Sequence, residues 1–204
     1  MSDKDVLRPA LWTARPVAET VALYTDWAAT YDAEVSARGY RTPDRIAAAL
    51  QDLVAPETPM LDYGCGTGLS GLALRRAGFI AVDGTDITAA MLEKAQARGI
   101  YRRTWLSTAE DPGFERGAYP VIVAAGVISL GAAPPDTLAT LLDRLQAGGL
   151  LAFSYNDPTR ADKNYEDALT RACDSGAAAL LLREHGPHLD DVGMNSDVIL
   201  LRRK

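Results

Sequence analysis

The stretch Met60-Leu61-Asp62-Tyr63-Gly64-Cys65-Gly66-Thr67-Gly68-Leu69-Ser70-Gly71 admits few folds. A short apolar run carries an acid near its end, breaks into alternating glycines and resumes as a helix-forming segment. Glycine has no Cβ and tolerates positive φ, so a strand–loop–helix of this kind brings backbone N–H groups against a ligand. Residues 79–86 read as a second strand that also ends in an acid, Asp86. Thr88 then N-caps a helix through Arg98, with Met91, Leu92 and Ala95 apolar and Gly99 closing it. This strand–helix–strand–helix order predicts a parallel, doubly wound α/β sheet that binds ligands at the C-terminal ends of its strands.

Two ligand classes compete for the loop. Gly66 to Gly71 satisfies the G-x-G-x-x-G dinucleotide pattern, and Asp86 follows at the distance of a ribose-binding acid, roughly 20 residues on. Asp62 and the additional Gly64 point elsewhere. A carboxylate at the strand end repels a pyrophosphate and welcomes an ammonium group. S-adenosylmethionine (SAM) combines an amino-acid tail, a ribose and an adenine, and has no phosphate. Asp62 therefore favours SAM over a nicotinamide dinucleotide.

Ahead of the loop, residues up to about 16 show no sustained period and read as an arm. A helix from Val17 carries Tyr24, Trp27, Ala28 and Tyr31 at i, i+3, i+4, i+7, continues to Val35 and ends at Gly39. This aromatic helix is placed to close over a ligand, with Tyr31 near its end as the exposed candidate. Thr42-Pro43 opens the next helix with Thr as N-cap, and Ile46, Ala49, Leu50 and Leu53 form its buried stripe. Beyond the loop, Leu69, Leu72 and Ala73 are expected to face the sheet, with Gly78 as the C′ residue.

Residues 102–107 and 119–125 read as a third and a fourth strand. Leu138, Leu141, Leu142 and Leu145 mark an amphipathic helix, and residues 150–155 form the next strand. Residues 162–173 suit another helix, and 178–184 with 197–202 a closing strand pair. His185 and His188 fall in the Gly/Pro/Asp-rich connection, which is read as a surface loop.

A net charge of −6 argues against a nucleic-acid-binding surface. The two cysteines, Cys65 and Cys173, have no metal-ligand or redox spacing, and no metal site is expected. The polar start, Met1 to Asp5, lacks the apolar core of a secretory signal, and no apolar run reaches membrane-spanning length. The expectation is one cytoplasmic domain over 1–204, with no nucleic-acid or membrane partner and a small-molecule substrate. Residues 1–54 form its arm and lid, and residues 55–204 its ligand-binding core.

Together, residues 61–68, 82–92 and 145–151 resemble the class I SAM-dependent methyltransferases: their motif I, second-strand acid with its helix, and turn before the fifth strand. Residues 24–32 followed by 39–43 resemble, more narrowly, the Williams–Beuren-region methyltransferase-like group. The resemblance implies a Rossmann-like seven-stranded sheet with its last strand antiparallel and an N-terminal helical lid. It also implies SAM as cofactor, with S-adenosylhomocysteine (SAH) as product. Asp62, Gly64 and Gly66 would then line the methionine end, Asp86 would bind ribose and Ile87 would pack on adenine.

Cys65, Gly68, Met91, Ala125 and Tyr31 complete the candidate cofactor set. Family members carry Asp after the third strand to take the adenine amino group. This chain has Thr108-Ala109-Glu110 there, so Thr108, Ala109 and Glu110 are the adenine candidates. A sulfonium is already an activated leaving group, so alignment matters more than a dedicated base. Tyr31, Tyr155 and Asn156 are candidates for orienting the acceptor, and Tyr40, Arg41 and Asn156 for contacting it. A non-catalytic SAM- or SAH-binding protein is the alternative.

Overall fold

The structure, a computed structural model, describes residues 9–204; the polar residues 1–5 lie outside the described residues. Its centre is a seven-stranded sheet in the order β3-β2-β1-β4-β5-β7-β6. The strands are β1 (Met60–Tyr63), β2 (Val82–Asp86), β3 (Thr104–Leu106), β4 (Val121–Ala124), β5 (Leu150–Asn156), β6 (Ala178–Leu189) and β7 (Met194–Arg203). β1 to β5 pair in parallel, whereas β7 runs antiparallel to both β5 and β6. The Rossmann-like doubly wound sheet with an antiparallel last strand is thus present. β1 lies between β2 and β4, and at this reversal of strand order a crevice opens beyond the strand ends.

Alternation along the central strands builds two cores. Leu61, Ile122, Leu151, Phe153, Tyr155 and Ile199 face α6 (Thr137–Arg144) and α8 (Lys163–Asp174). Met60, Val82, Val121, Ala152, Val198 and Leu200 face α3 (Thr42–Gln51) and α4 (Leu69–Arg76). The leucine stripe of α6 holds as read: Leu138, Leu141, Leu142 and Leu145 are all buried, each contributing ~2 kcal/mol over exposure.

Several local expectations are corrected. The aromatic helix is two helices, α1 (Val17–Trp27) and α2 (Tyr31–Ala37), separated by a turn at 28–30. Near the break the Thr25 hydroxyl donates to the Val21 carbonyl (2.8 Å), competing within the helix's own ladder. The arm is not wholly loose, because Pro9–Trp12 forms a short 3-10 turn that buries Leu11.

Thr42 is the first residue of α3, not its cap; Arg41 holds that position without a capping side chain. Leu53 lies past the helix end and is 50% exposed. On α4 the buried face is Ser70, Gly71, Ala73 and Leu74, so Leu69 and Leu72 sit at its margin. The second strand begins only at Val82, leaving Ile80 exposed.

The stretch containing His185 and His188 is not a loop. It belongs to β6, a long edge strand in which Pro187 pairs with Asn195 beside a register irregularity. Proline is tolerated there because an edge strand need not donate from every N–H.

Candidate active site

At the crevice, β1 runs through Asp62 into the glycine loop. Gly64, Gly66 and Gly68 all have positive φ (67°, 54° and 93°), in the left-handed region that favours glycine. A Cβ on Gly64 would stand 2.5 Å from Val127 Cγ2, whereas one on Gly66 would point into open space. Beyond Gly68 the chain turns directly into α4.

Asp86 ends β2 and bridges the loop to α5 (Ala89–Ala97). Its Oδ2 accepts from the Gly66 N–H (2.8 Å) and its Oδ1 from the Thr88 N–H (2.7 Å). Burial raises its pKa above the usual carboxylate value, and the N–H groups of Thr88 and Gly66 oppose that rise. The other acid of β2, Asp83, is committed elsewhere: Arg102, Arg103 and the Tyr119 hydroxyl all donate to it. Asp86 is therefore the β2 carboxylate on the cavity wall.

A cavity of about 200 Å³ opens here. The glycine loop contributes Gly64 and Gly66, and the second strand and its helix contribute Asp86, Ile87, Thr88 and Met91. Ser107 and Ala109 come from the loop after β3, Ala125 to Val127 from the end of β4, and Val17, Thr20, Tyr24 and Tyr31 from the two N-terminal helices. Val17, Thr20 and Tyr24 repeat at i, i+3, i+7, one face of α1, so this edge of the lid was available from helical spacing. The loop running through Ala132 to Pro134 also borders the cavity.

Asp62 lies beneath this cavity and not on its wall. It is fully buried; Oδ2 accepts from the Ser70 hydroxyl (2.6 Å) and the Tyr101 hydroxyl (2.6 Å), while Oδ1 has no partner among the described residues. Burial pushes its pKa up to about 6, with the Ser70 and Tyr101 hydrogen bonds pulling the other way. A buried carboxylate oxygen without a donor is costly. A cationic group held just above the loop would offset that cost. Ser70 itself borders a small annex of the cavity together with Gly64, Gly66, Tyr31 and Tyr40.

Other candidates are redirected. The Cys65 thiol packs with Leu92 and Ala95 below the loop and burial raises its pKa well above the ordinary thiol value, while the residue also borders the annex. Gly68 shapes the loop without bordering the cavity, Thr108 and Glu110 are exposed, and Asp111 N–H donates to the Thr108 hydroxyl (3.0 Å). Of the three adenine candidates only Ala109 borders the cavity, joined by Ser107 at the start of the same loop.

Tyr155 is buried in the sheet core and its hydroxyl donates to the Tyr165 carbonyl, so it does not orient an acceptor. Arg41 is half exposed, pairs with Asp190 (2.6 Å) and lies outside the main cavity, beside Tyr40 in a surface cleft. Asn156 caps α7 (Asp157–Ala161), its Oδ1 accepting from Thr159 N–H (3.1 Å) and Oγ1 (2.6 Å). Asn156 and Tyr40 nevertheless border a second, smaller chamber that shares Tyr24, Tyr31 and Gly126 with the main cavity.

The lid is fastened to the loop. Asp32 of α2 accepts from the Thr67 hydroxyl (2.5 Å) and from Arg98, and Arg98 Nε donates to the Thr67 carbonyl (2.6 Å). Asp32→Ala opens this clasp. The expected result is SAH affinity about three- to tenfold weaker, dominated by faster dissociation in stopped flow, with little loss of thermal stability because the pair is part-exposed. An unaltered dissociation rate would count against the clasp.

A model of the methyltransferase domain family matches residues 35–191. With this coverage and the fold above, the chain belongs to the methyltransferase domain family and is of the class I, SAM-dependent type. Among curated relatives, it is 32% identical over 164 residues to methyltransferase-like protein 27 of Homo sapiens, covering 78% of this chain and 66% of that protein. It is 30% identical over 106 residues to ribosomal protein L11 methyltransferase of Methylobacillus flagellatus, covering 52% of this chain and 35% of the relative. The chain thus spans less than two thirds of the length of these relatives.

Two solved structures share the fold. The [4+2]-cyclase SpnF superposes with a TM-score of 0.71 at 15% identity, over 94% of this chain and 97% of the other. Magnesium protoporphyrin IX methyltransferase of Synechocystis with bound SAM gives 0.63 at 18% identity, over 98% and 90%. No helix among the described residues is long and apolar enough to cross a membrane.

Proposed function

We propose that this protein transfers the methyl group of SAM to a small-molecule acceptor held against the lid. The observation that carries the reading is the paired placement of two acids. Asp86 stands on the cavity wall with its carboxylate anchored by the Gly66 and Thr88 N–H groups, and Asp62 lies beneath the glycine loop with one oxygen unpartnered. The first suits two ribose hydroxyls, and the second suits the ammonium of an amino-acid tail. Ile87 and Met91 offer an apolar wall for adenine, and Ser107 and Ala109 border the same end.

When bound, SAM supplies a methyl group on a sulfonium, so the chain's own task is to align the acceptor and exclude water. Tyr24, Tyr31 and Tyr40 are suited to that work. Burial raises the pKa of all three phenols, so they remain protonated donors and do not serve as bases at neutral pH. A non-catalytic or differently catalytic use of the same fold is the second reading, because the neighbour SpnF is by name a cyclase.

The test has two stages. SAH is expected to raise the melting temperature by several degrees at a concentration where NAD does nothing, as a ligand binding only the folded state must. Labelled SAM incubated with a metabolite extract is then expected to yield a labelled small molecule. Stabilisation by SAH with no labelled product from any extract would favour the second reading.

A further inference from the structure

The second chamber is walled by Trp27, Tyr31, Val35, Tyr40, Leu130 and Leu189, and the polar residues His188, Asn156 and Ser129 also border it, with Asn156 Oδ1 already committed to Thr159. Among the described residues no Lys, Arg, Asp or Glu borders it. His188 is buried at 6% exposure, and its ring meets Tyr40 edge-on at 5.3 Å. Its Nδ1 lies 2.7 Å from the Thr42 hydroxyl, which lies 2.8 Å from the Ser196 hydroxyl. Thr42 and Ser196 are both fully buried. Arg45 Nη1 donates to Ser196 Oγ (3.3 Å) and to the Ser196 carbonyl (2.9 Å). Nε2 of His188 has no partner among the described residues.

Proton accounting gives this chain of contacts a direction. A guanidinium only donates, so Ser196 Oγ accepts from Arg45. With Ser196 donating to Thr42 and Thr42 donating to His188 Nδ1, every hydroxyl proton has an acceptor. The reverse direction leaves the Ser196 proton without one in the network. Nδ1 is then the acceptor, and the neutral ring carries its hydrogen on Nε2. Burial supports neutrality by pushing the His188 pKa down to about 4, with Asp157 opposing and Arg45 adding to the fall.

We infer that the chamber is the acceptor pocket and that His188 Nε2–H is its polar anchor, selecting an uncharged molecule with an apolar body and a hydrogen-bond-accepting oxygen. The inference rests on the methyltransferase reading only in taking the adjoining cavity as the donor site. Three features favour this class. Among the described residues the wall offers no counter-ion for a charged acceptor, it offers aromatic and aliphatic area to an apolar body, and it presents an otherwise unpaired donor that an oxygen would satisfy. Thr42, Ser196 and Arg45 act through His188 and are positioning residues.

Nitrogen-15 spectra of the labelled full chain read the ring state directly, and the chain has only two histidines. His185 Nδ1 lies 2.8 Å from the Asp197 carboxylate and so carries hydrogen on Nδ1. His188 is expected to show the opposite tautomer, with Nε2 protonated and Nδ1 not. In parallel, ligand-observed NMR compares acetophenone with α-methylstyrene, which has the same shape without the oxygen, and with benzoate.

Wild type is expected to prefer acetophenone at least about fivefold over both, as one hydrogen bond to an otherwise unpaired donor provides. His188→Phe is expected to bring acetophenone and α-methylstyrene within about twofold of each other. Thr42→Val, a second variant that leaves the ring in place, is expected to lose the single-tautomer signature. A wild-type His188 protonated on Nδ1, equal affinity for acetophenone and α-methylstyrene, or tighter binding of benzoate would overturn the inference. SAH affinity, measured on the same samples, reports separately: its absence with the tautomer and the preference intact would sink the methyltransferase reading and leave the pocket assignment standing.

Discussion

Asp86→Ala is expected to weaken SAH binding at least about 100-fold in calorimetry. Two hydrogen bonds from ribose hydroxyls to a carboxylate contribute ~1.5–3 kcal/mol each. The same carboxylate also accepts from the Gly66 and Thr88 N–H groups. Removing it therefore strands two backbone donors, and the ligand-free protein is expected to lose ~1–3 kcal/mol of stability as well. Asp86→Asn abolishes the charge but keeps one acceptor oxygen, so it strands one of the two N–H donors in place of both and is expected to lose less stability than Asp86→Ala. Unchanged SAH affinity in both variants would remove Asp86 from the site.

Asp62→Asn is expected to act in opposite directions on stability and on binding. A carboxyl whose pKa rises from 3.8 to about 6 on folding carries a penalty of ~3 kcal/mol once it ionises in both states. The penalty is absent below pH 3.8, grows as pH rises toward 6 and is complete above it. Asparagine retains an oxygen for Ser70 and Tyr101 and carries no charge. At pH 7.5 the variant is expected to melt about 5–10 °C above the parent, yet to bind SAH about 10- to 100-fold more weakly through loss of the charge that attracts an ammonium.

The pH dependence should shift with it. His188, with its pKa lowered on folding from 6.5 to about 4, costs stability as pH falls through that interval. In the parent protein this slope opposes that of Asp62. In Asp62→Asn the Asp86 carboxyl, whose pKa burial also raises, still opposes the His188 slope, so relative to the parent stability should rise more steeply with pH between about 4 and 6. Denaturant titrations at several pH values that gave parallel profiles for the two proteins would show that Asp62 is not held at a penalty.

What could be read from the chain follows the range over which each feature is determined. The glycine loop, the α6 leucines and the alternating central strands are local patterns whose physics is complete within a dozen residues, and they stand where expected. Asp86 was readable because strand-end position alone brings it to the crevice.

Thr42 was not, because Thr-Pro looks the same whether its hydroxyl caps a helix or reaches a histidine 146 residues away. Tyr155 and Asn156 sit at a strand end that usually faces ligand, but pleat direction turned one into the core and a helix start occupied the other. Arg41 found Asp190, and His188 was hidden in an edge strand whose Gly186-Pro187 mimics a loop. Long-range pairing decided each of these.

The clasp between Asp32, Thr67 and Arg98 has a kinetic consequence. The rings of Tyr24 and Tyr31 form part of both the donor cavity and the acceptor chamber, and both belong to the lid that the clasp fastens. An acceptor arriving while the lid is unfastened meets an unfinished chamber, whereas one arriving after the clasp has formed meets all its walls. Binding on this architecture is expected to be ordered, donor first and spent donor last, which product inhibition by SAH against each substrate would read.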